Sequence, residues 1–414
     1  MRTSLKAALA ASAVLTLGGT ALAAAPVVAA PPALGTAASP YIVVLKDSVD
    51  ARTVAPQQAA QLGFDLGHVY HSALQGYSAW LSPAEADLVA ASPMVRWVQK
   101  DTPVSIDAQS TPTGINRSNA DASPTAKING VDERVNVDVA VIDTGADLTH
   151  PDLNIYRAGA KNCSIGAINA NDMHGHGTHV AGTIGALDDT KGVVGMAPGA
   201  RIWPVKVLTD AGTGLNSDVI CGIDYVTANA SKIEVANMSL GGAGTDDQNC
   251  GATNKDAMHA AICRSVAAGI TYVVAAGNDS EDAKNSTPAA YDEVITVSAL
   301  ADFNGLPGGG APSTCRSDVD DTFANFSNYG ADVDLIAPGV CINSTWRLGG
   351  YSSISGTSMA SPHVAGGAAL YKALNPTATP AAVKAYLQST GTLDWNNSDD
   401  KDSVKERLLN VTGY

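Results

Sequence analysis

Three short segments of this 414-residue sequence carry residue types able to do chemistry. The first, Val139-Ala-Val-Ile-Asp143-Thr-Gly145, places a carboxylate where an apolar run ends, the C-terminal edge of a buried strand. An isolated Asp-x-Gly is more often a turn that binds its own backbone. Asp-Thr-Gly also marks aspartic peptidases, but those need two carboxylates sharing a proton, and the sequence has no second Asp-Thr-Gly or Asp-Ser-Gly. The second segment is His174-Gly-His176-Gly-Thr-His179-Val-Ala-Gly-Thr183. Its histidines lack the His-Glu-x-x-His spacing of a zinc helix, so one catalytic histidine at a helix N-terminus is a better reading than a His-only metal site. His179, inside the helix, reads as a buried, hydrogen-bonded structural residue. The third is Gly356-Thr-Ser358-Met-Ala-Ser361-Pro-His363-Val-Ala-Gly-Gly367. A serine there is an ordinary N-cap or, as a nucleophile, sits where a helix N-terminus favours developing negative charge. It is not the Gly-x-Ser-x-Gly elbow, because Ala360 replaces the second glycine. From these residues alone, two serines and two histidines stay open.

The elements that must position these groups alternate. Strands are expected at 135–142, 201–208, 234–239, 271–276, 294–299 and 334–336, and helices at 177–186, 217–230, 255–268, 358–374 and 380–389. Apolar strands followed by helices predict an α/β fold, a parallel sheet covered by helices on both faces. Ligands on such sheets gather beyond the carboxyl ends of the strands. Ahead of it, residues 41–100 read β-α-β-β-α-β, a small ferredoxin-like α+β unit, with Ser82 as N-cap and Pro83 opening its second helix.

Composition bounds the rest. Twenty-five Lys and Arg against 40 Asp and Glu leave a net charge of −15, which argues against nucleic acid or an anionic membrane as partner. Residues 1–23 have a positive start, a compact apolar run and Ala-Leu-Ala at 21–23, the pattern of a secretory signal peptide. Residues 24–40 form an Ala- and Pro-rich linker and 101–107 a polar connection. The expected product is therefore secreted and extracellular, with no membrane attachment after signal cleavage, and monomeric. Six cysteines, with no Cys-x-x-Cys pair, are disulfide candidates in that compartment.

Asp143-Thr-Gly, His176-Gly-Thr-His-Val-Ala-Gly-Thr and Gly-Thr-Ser358-Met-Ala-Ser-Pro-His-Val-Ala-Gly resemble the three catalytic blocks of the subtilisin family of serine endopeptidases, in the family's order. The resemblance runs from about Ala108 to the end. Phe326-Ser-Asn-Tyr-Gly330 and Ser344-Thr-Trp346 are most similar to the proteinase K branch, and 41–100 is similar to the family's inhibitor-like propeptide. It implies a subtilisin-like peptidase domain at 108–414, made as an autoprocessed zymogen whose propeptide is both chaperone and inhibitor. The implied activity is hydrolysis of protein and peptide substrates of broad sequence, with apolar or aromatic P1 residues. Roles carried over by motif make Ser358 the nucleophile, His176 its base, Asp143 the partner of His176 and Asn278 the oxyanion donor. Ser239, Leu240 and Gly241 would pair with substrate backbone, with Ala275 and Gly277 forming the opposite wall. The resemblance also implies structural calcium, held tightly by Gln109, Asp152 and Asp189 with the carbonyls of Leu187, Lys191 and Val193. A second ion would use the Asp292 and Val294 carbonyls and the Asp334 side chain. Six cysteines allow fifteen pairings. Cys250–Cys263 and Cys315–Cys341 are the expected bridges, the latter bracketing a segment inserted into the family pattern, and Cys221 is either paired with Cys163 or a buried thiol.

Overall fold

The computed structural model describes residues 38–101, 108–402 and 404–414. The expected signal peptide, most of the linker and most of the processing segment lie outside the described residues. The chain divides into two compact units between Ser105 and Ile106.

In the first unit, antiparallel strands run in the order Asp65–Tyr70, Gly76–Leu81, Ser39–Leu45, Val95–Lys100. With helices Ala51–Leu62 and Pro83–Ala90 the chain order is β-α-β-β-α-β. The first strand begins at Ser39, so the linker ends two residues earlier than its composition suggests. The first helix starts at Ala51 because Asp50 caps it, accepting from Arg52 N at 3.0 Å. Ser82 and Glu85 form a reciprocal cap on the second: Glu85 N donates to Ser82 Oγ at 3.3 Å and Ser82 N to the Glu85 carboxylate at 2.7 Å. Val43, Leu45, Tyr77, Leu81 and Val89 close a core of its own.

The second unit is built on parallel strands in the order Arg407–Leu408, Leu335–Pro338, Ile295–Ala301, Thr271–Ala275, Val235–Met238, Asp138–Asp143, Arg201–Lys206, Lys161–Asn162. The strand Asp138–Asp143 shows why its sequence is almost wholly apolar. Val139 and Val141 pack into one core with helices His176–Gly185 and Thr357–Leu374, while Ala140 and Ile142 pack into a second with Asn216–Ala228 and Ala257–Ala267. Period two on a sheet covered on both faces leaves no polar side. Three disulfides form, Cys163–Cys221, Cys250–Cys263 and Cys315–Cys341, so Cys221 is not a free thiol. Among the described residues no helix is long and apolar enough to cross a membrane.

Candidate active site

Asp143 ends its strand fully buried, and His176 opens a helix beside it, so the topology brings the first two blocks together at the carboxyl edge of the sheet. His176 Nδ1 lies 2.8 Å from Asp143 Oδ1. Burial disfavours the imidazolium, but the charge and hydrogen bond of Asp143 outweigh it, and the His176 pKa is raised above the ordinary histidine value. Gly177 is required for this approach, since a Cβ there would stand 2.1 Å from Gly145 O and 3.1 Å from the Asp143 Cβ.

The sequence pattern did not single out the residue that holds the turn. Asp172, 1% exposed, accepts from His174 N, Gly175 N and Thr144 Oγ1 on one oxygen and from Thr178 N and Oγ1 on the other. It thereby satisfies the donors at the helix entrance and clamps the turn against the Asp143 strand.

The remaining histidine and serine alternatives separate by burial. His179 Nε2 donates to Ile342 O at 2.9 Å, and burial pushes its pKa down to about 3. His363 Nδ1 meets Met359 O at 2.8 Å, with its pKa pushed down to about 4 by burial. Ser361 is fully buried and donates to Asn237 Oδ1 at 2.7 Å. These three groups are structural. Ser358 instead stands at the start of the Thr357–Leu374 helix and lines a cavity of about 340 Å³ with Asn278. Its Oγ donates to Ser239 O at 3.3 Å, and Ser239 Oγ donates back to Ser358 O at 2.9 Å. Asn278 Oδ1 accepts from Thr357 N at 2.8 Å and Thr357 Oγ1 at 3.0 Å, which commits its oxygen to the helix start and leaves Nδ2 for a ligand. Ala275, Ala276, Gly277, Ser286 and Ala289 wall this cavity, with exposed Asp279 and Glu281 also along its lining. An adjoining cavity opens on His176 and shares Leu240, Gly241, Gly242 and Thr287 with it, while Ser239 lines its side.

The expected ion sites differ sharply. Gln109 Nε2 donates to Leu187 O at 2.7 Å and to Val193 O at 3.2 Å, and turning the amide over sets its oxygen beside the same two carbonyls. Asp152 Oδ2 accepts from Val193 N and from the Tyr351 hydroxyl, whereas Oδ1 is buried with no partner. Burial, with the charge of Asp189 beside it, pushes the Asp152 pKa up to about 7. An orphaned carboxylate oxygen among carbonyl and amide groups fits an oxygen-ligated cation. Asp189 Oδ1 accepts from Lys191 N within the same loop. At the second site the expectation is corrected. Lys384 Nζ lies 2.8 Å from Val294 O, 3.2 Å from Asp292 O and 2.8 Å from Asp334 Oδ2. An ammonium already takes the three oxygens, and a divalent ion there would meet like charge.

Residues 135–414 match the Subtilase family and residues 40–107 match Peptidase inhibitor I9. An alkaline protease of Alkalihalobacillus alcalophilus is 39% identical over 315 residues, covering 76% of this chain and 73% of the relative. Subtilisin E of Bacillus subtilis (strain 168) is 40% identical over 303 residues, covering 72% and 71%. A cold adapted subtilisin-like serine proteinase of known crystal structure aligns with TM-score 0.52 and 32% identity, over 68% of this chain and 92% of that one. With an acid–imidazole pair and a serine at one sheet edge, and matches of this extent, the chain belongs to the subtilase family, as a subtilisin-like serine endopeptidase preceded by an I9 inhibitor domain.

Proposed function

We propose that Ser358, His176 and Asp143 hydrolyse peptide bonds through an acyl-enzyme intermediate. The observation that carries this is the Asp143–His176 pair, with its raised imidazole pKa, beside adjoining cavities bridged by Ser239 to Ser358. In the resting geometry Ser358 Oγ bonds Ser239 O, a contact it must give up to meet His176 Nε2 when substrate enters. Oγ then attacks the scissile carbonyl while Nε2 takes its proton and later gives it to the leaving amine. Asp143 keeps the Nδ1 proton in place and stabilises the imidazolium. Asn278 Nδ2 and the Ser358 N–H receive the oxyanion, an arrangement whose side-chain donor is worth roughly 10²–10³ in kcat. Ser239, Leu240 and Gly241 supply main-chain pairing to substrate, and apolar Ala275 and Gly277 favour apolar or aromatic P1 side chains.

Calcium at the first site would be held by Gln109, Asp152, Asp189 and the carbonyls of Leu187, Lys191 and Val193, where it would neutralise two carboxylates. The reading extends to a secreted zymogen with signal peptide 1–23, propeptide 41–100, processing within 101–107 and enzyme from Ala108. The test is casein hydrolysis with and without a serine-directed phosphonate, followed by peptide mapping. Label on Ser358 with complete inhibition is expected; activity that survives full labelling defeats the mechanism. Ser358→Ala should accumulate as unprocessed precursor, and mature-size protein from it in a protease-free host would show that processing is not autocatalytic.

A further inference from the structure

Between the strand lining the cavity and the helix Ala257–Ala267 lies a loop whose carboxylates surround one histidine. His259 is 1% exposed. Its Nε2 lies 2.9 Å from Glu293 Oε2, and its ring stacks on Tyr291 with centroids 4.0 Å apart and planes at 4°. Its Nδ1 is buried without a hydrogen-bond partner, yet faces Asp247 Oδ1 at 3.5 Å and Asp246 Oδ1 at 3.6 Å.

Those separations are too long for N–H···O hydrogen bonds, which run to about 3.2 Å. They suit ligands shared by one small ion instead: tetrahedral zinc, with bonds of about 2.0–2.1 Å, sets its ligand atoms about 3.3 Å apart. One ligand atom from each of Asp246, Asp247 and His259 lies within 4.8 Å of the others. We propose that Asp246 Oδ1, Asp247 Oδ1 and His259 Nδ1 bind a divalent transition-metal ion of the zinc class, with Glu293 as the positioning residue for the imidazole. A carboxylate on the far ring nitrogen fixes the tautomer that turns a lone pair toward the metal. One imidazole among the donors selects against calcium, which takes oxygen ligands.

The loop is built to hold this arrangement. Asp247 accepts from the backbone N–H groups of Asn249, Gly251, Thr253 and Asn254, which fixes the position of its carboxylate. Asp256 caps the helix through Met258 N and His259 N, and its other oxygen takes the Tyr291 hydroxyl. The Cys250–Cys263 disulfide joins loop to helix. The bound ion would brace the segment that follows Ser239–Gly241, as a structural site separate from the catalytic groups.

The experiment uses the full chain carrying Ser358→Ala, so that its outcome is independent of activity and autolysis. Zinc binding is measured by metal content after dialysis and by cobalt(II) absorption. The parent should hold one more zinc than its Asp246→Asn and His259→Gln forms, and Glu293→Gln should weaken binding about 10–100-fold. Asp152→Asn should bind zinc unchanged. Asp246→Asn, at the loop's outer carboxylate, keeps the test open if the histidine variant fails to fold. Equal zinc in parent and Asp246→Asn overturns the proposal. So does thiolate charge-transfer absorption with cobalt, which would assign the metal to Cys250 and Cys263, or nitrogen NMR showing both His259 ring nitrogens protonated in excess zinc.

Discussion

Glu406 is 4% exposed, and both of its carboxylate oxygens are buried without a partner. Burial, with the charges of Asp400 and Asp402 added, pushes its pKa from 4.5 up to about 8. The nearby cations are engaged elsewhere: Lys405 Nζ donates to Trp395 O and Lys401 Nζ to Ser280. Because the folded chain holds this proton more tightly than the unfolded chain, stability falls as pH rises from 4.5 to about 8 and is level beyond. The ceiling on that loss is about 5 kcal/mol, at about 1.4 kcal/mol per pH unit. Relaxation of the site brings the expected gain from Glu406→Gln at alkaline pH to about 1–3 kcal/mol, the usual cost of a buried unsatisfied group. In a unit of this size that is a melting shift on the order of 2–6 °C. The assay is thermal melting of phosphonate-inactivated parent and variant across pH. The two should coincide below 4.5 and separate progressively up to about 8. A difference that is constant with pH, or a variant less stable at alkaline pH, would refute this account.

Other outcomes follow from the same geometry. The raised pKa of His176 places the inflection of kcat/KM above the ordinary histidine value, with activity rising as the imidazolium loses its proton. Asp143→Asn should lower that inflection and cut kcat by about 10⁴; an unmoved inflection would remove Asp143 as its cause. Free calcium at about 100 times Kd should add about 2.7 kcal/mol of stability to the mature enzyme and nothing to Asp152→Asn, read from thermal inactivation with calcium or chelator. Lys384→Ala should be less stable than the parent without calcium and recover as calcium is added; a deficit that calcium never repairs would show that no ion can stand in for the ammonium.

The groups proposed to react were legible because each is local. Asp143 ends an apolar strand, while His176 and Ser358 open helices, and the residues that make those ends lie within each motif. The motif itself had set His179 aside as structural, the resemblance then singled out His176 and Ser358, and the full burial of His179 and Ser361 gives the physical ground for passing them over. What stayed hidden depends on pairs far apart in sequence. Lys384 lies 90 residues beyond the Val294 carbonyl it fills, and no local pattern distinguishes it from a solvated helix lysine. Asp172 looks like one more polar loop residue until the fold lays Thr144 against it. The hairpin Ile342–Trp346 with Gly350–Ile354 and the pair Gly242–Ala243 with Ser286–Thr287 are short and weakly periodic, so tertiary contact decides them.

An acidic composition said only that some carboxylates would need compensation, and the structure divides that need among several devices. Asp247 and Asp172 are compensated by backbone N–H groups, which costs no second charge. Asp334 takes Lys384, and Asp321 takes Arg117 at 2.9 Å with both side chains 2% exposed. Asp302, 3.4 Å from the same guanidinium, is still pushed up to about 7 by burial, and it shares that cation with both Asp321 and Asp394. Asp152 and Glu406 have oxygens with neither kind of partner. Asp152 lies among converging carbonyl and amide groups, which a calcium ion can use, whereas Glu406 faces other carboxylates and is relieved by a proton. Without calcium both carboxyl groups hold their protons to unusually high pH, Asp152 to about 7 and Glu406 to about 8, but only Asp152 should also answer to free calcium. A Glu406→Gln form whose gain vanished in saturating calcium would show instead that an ion serves both.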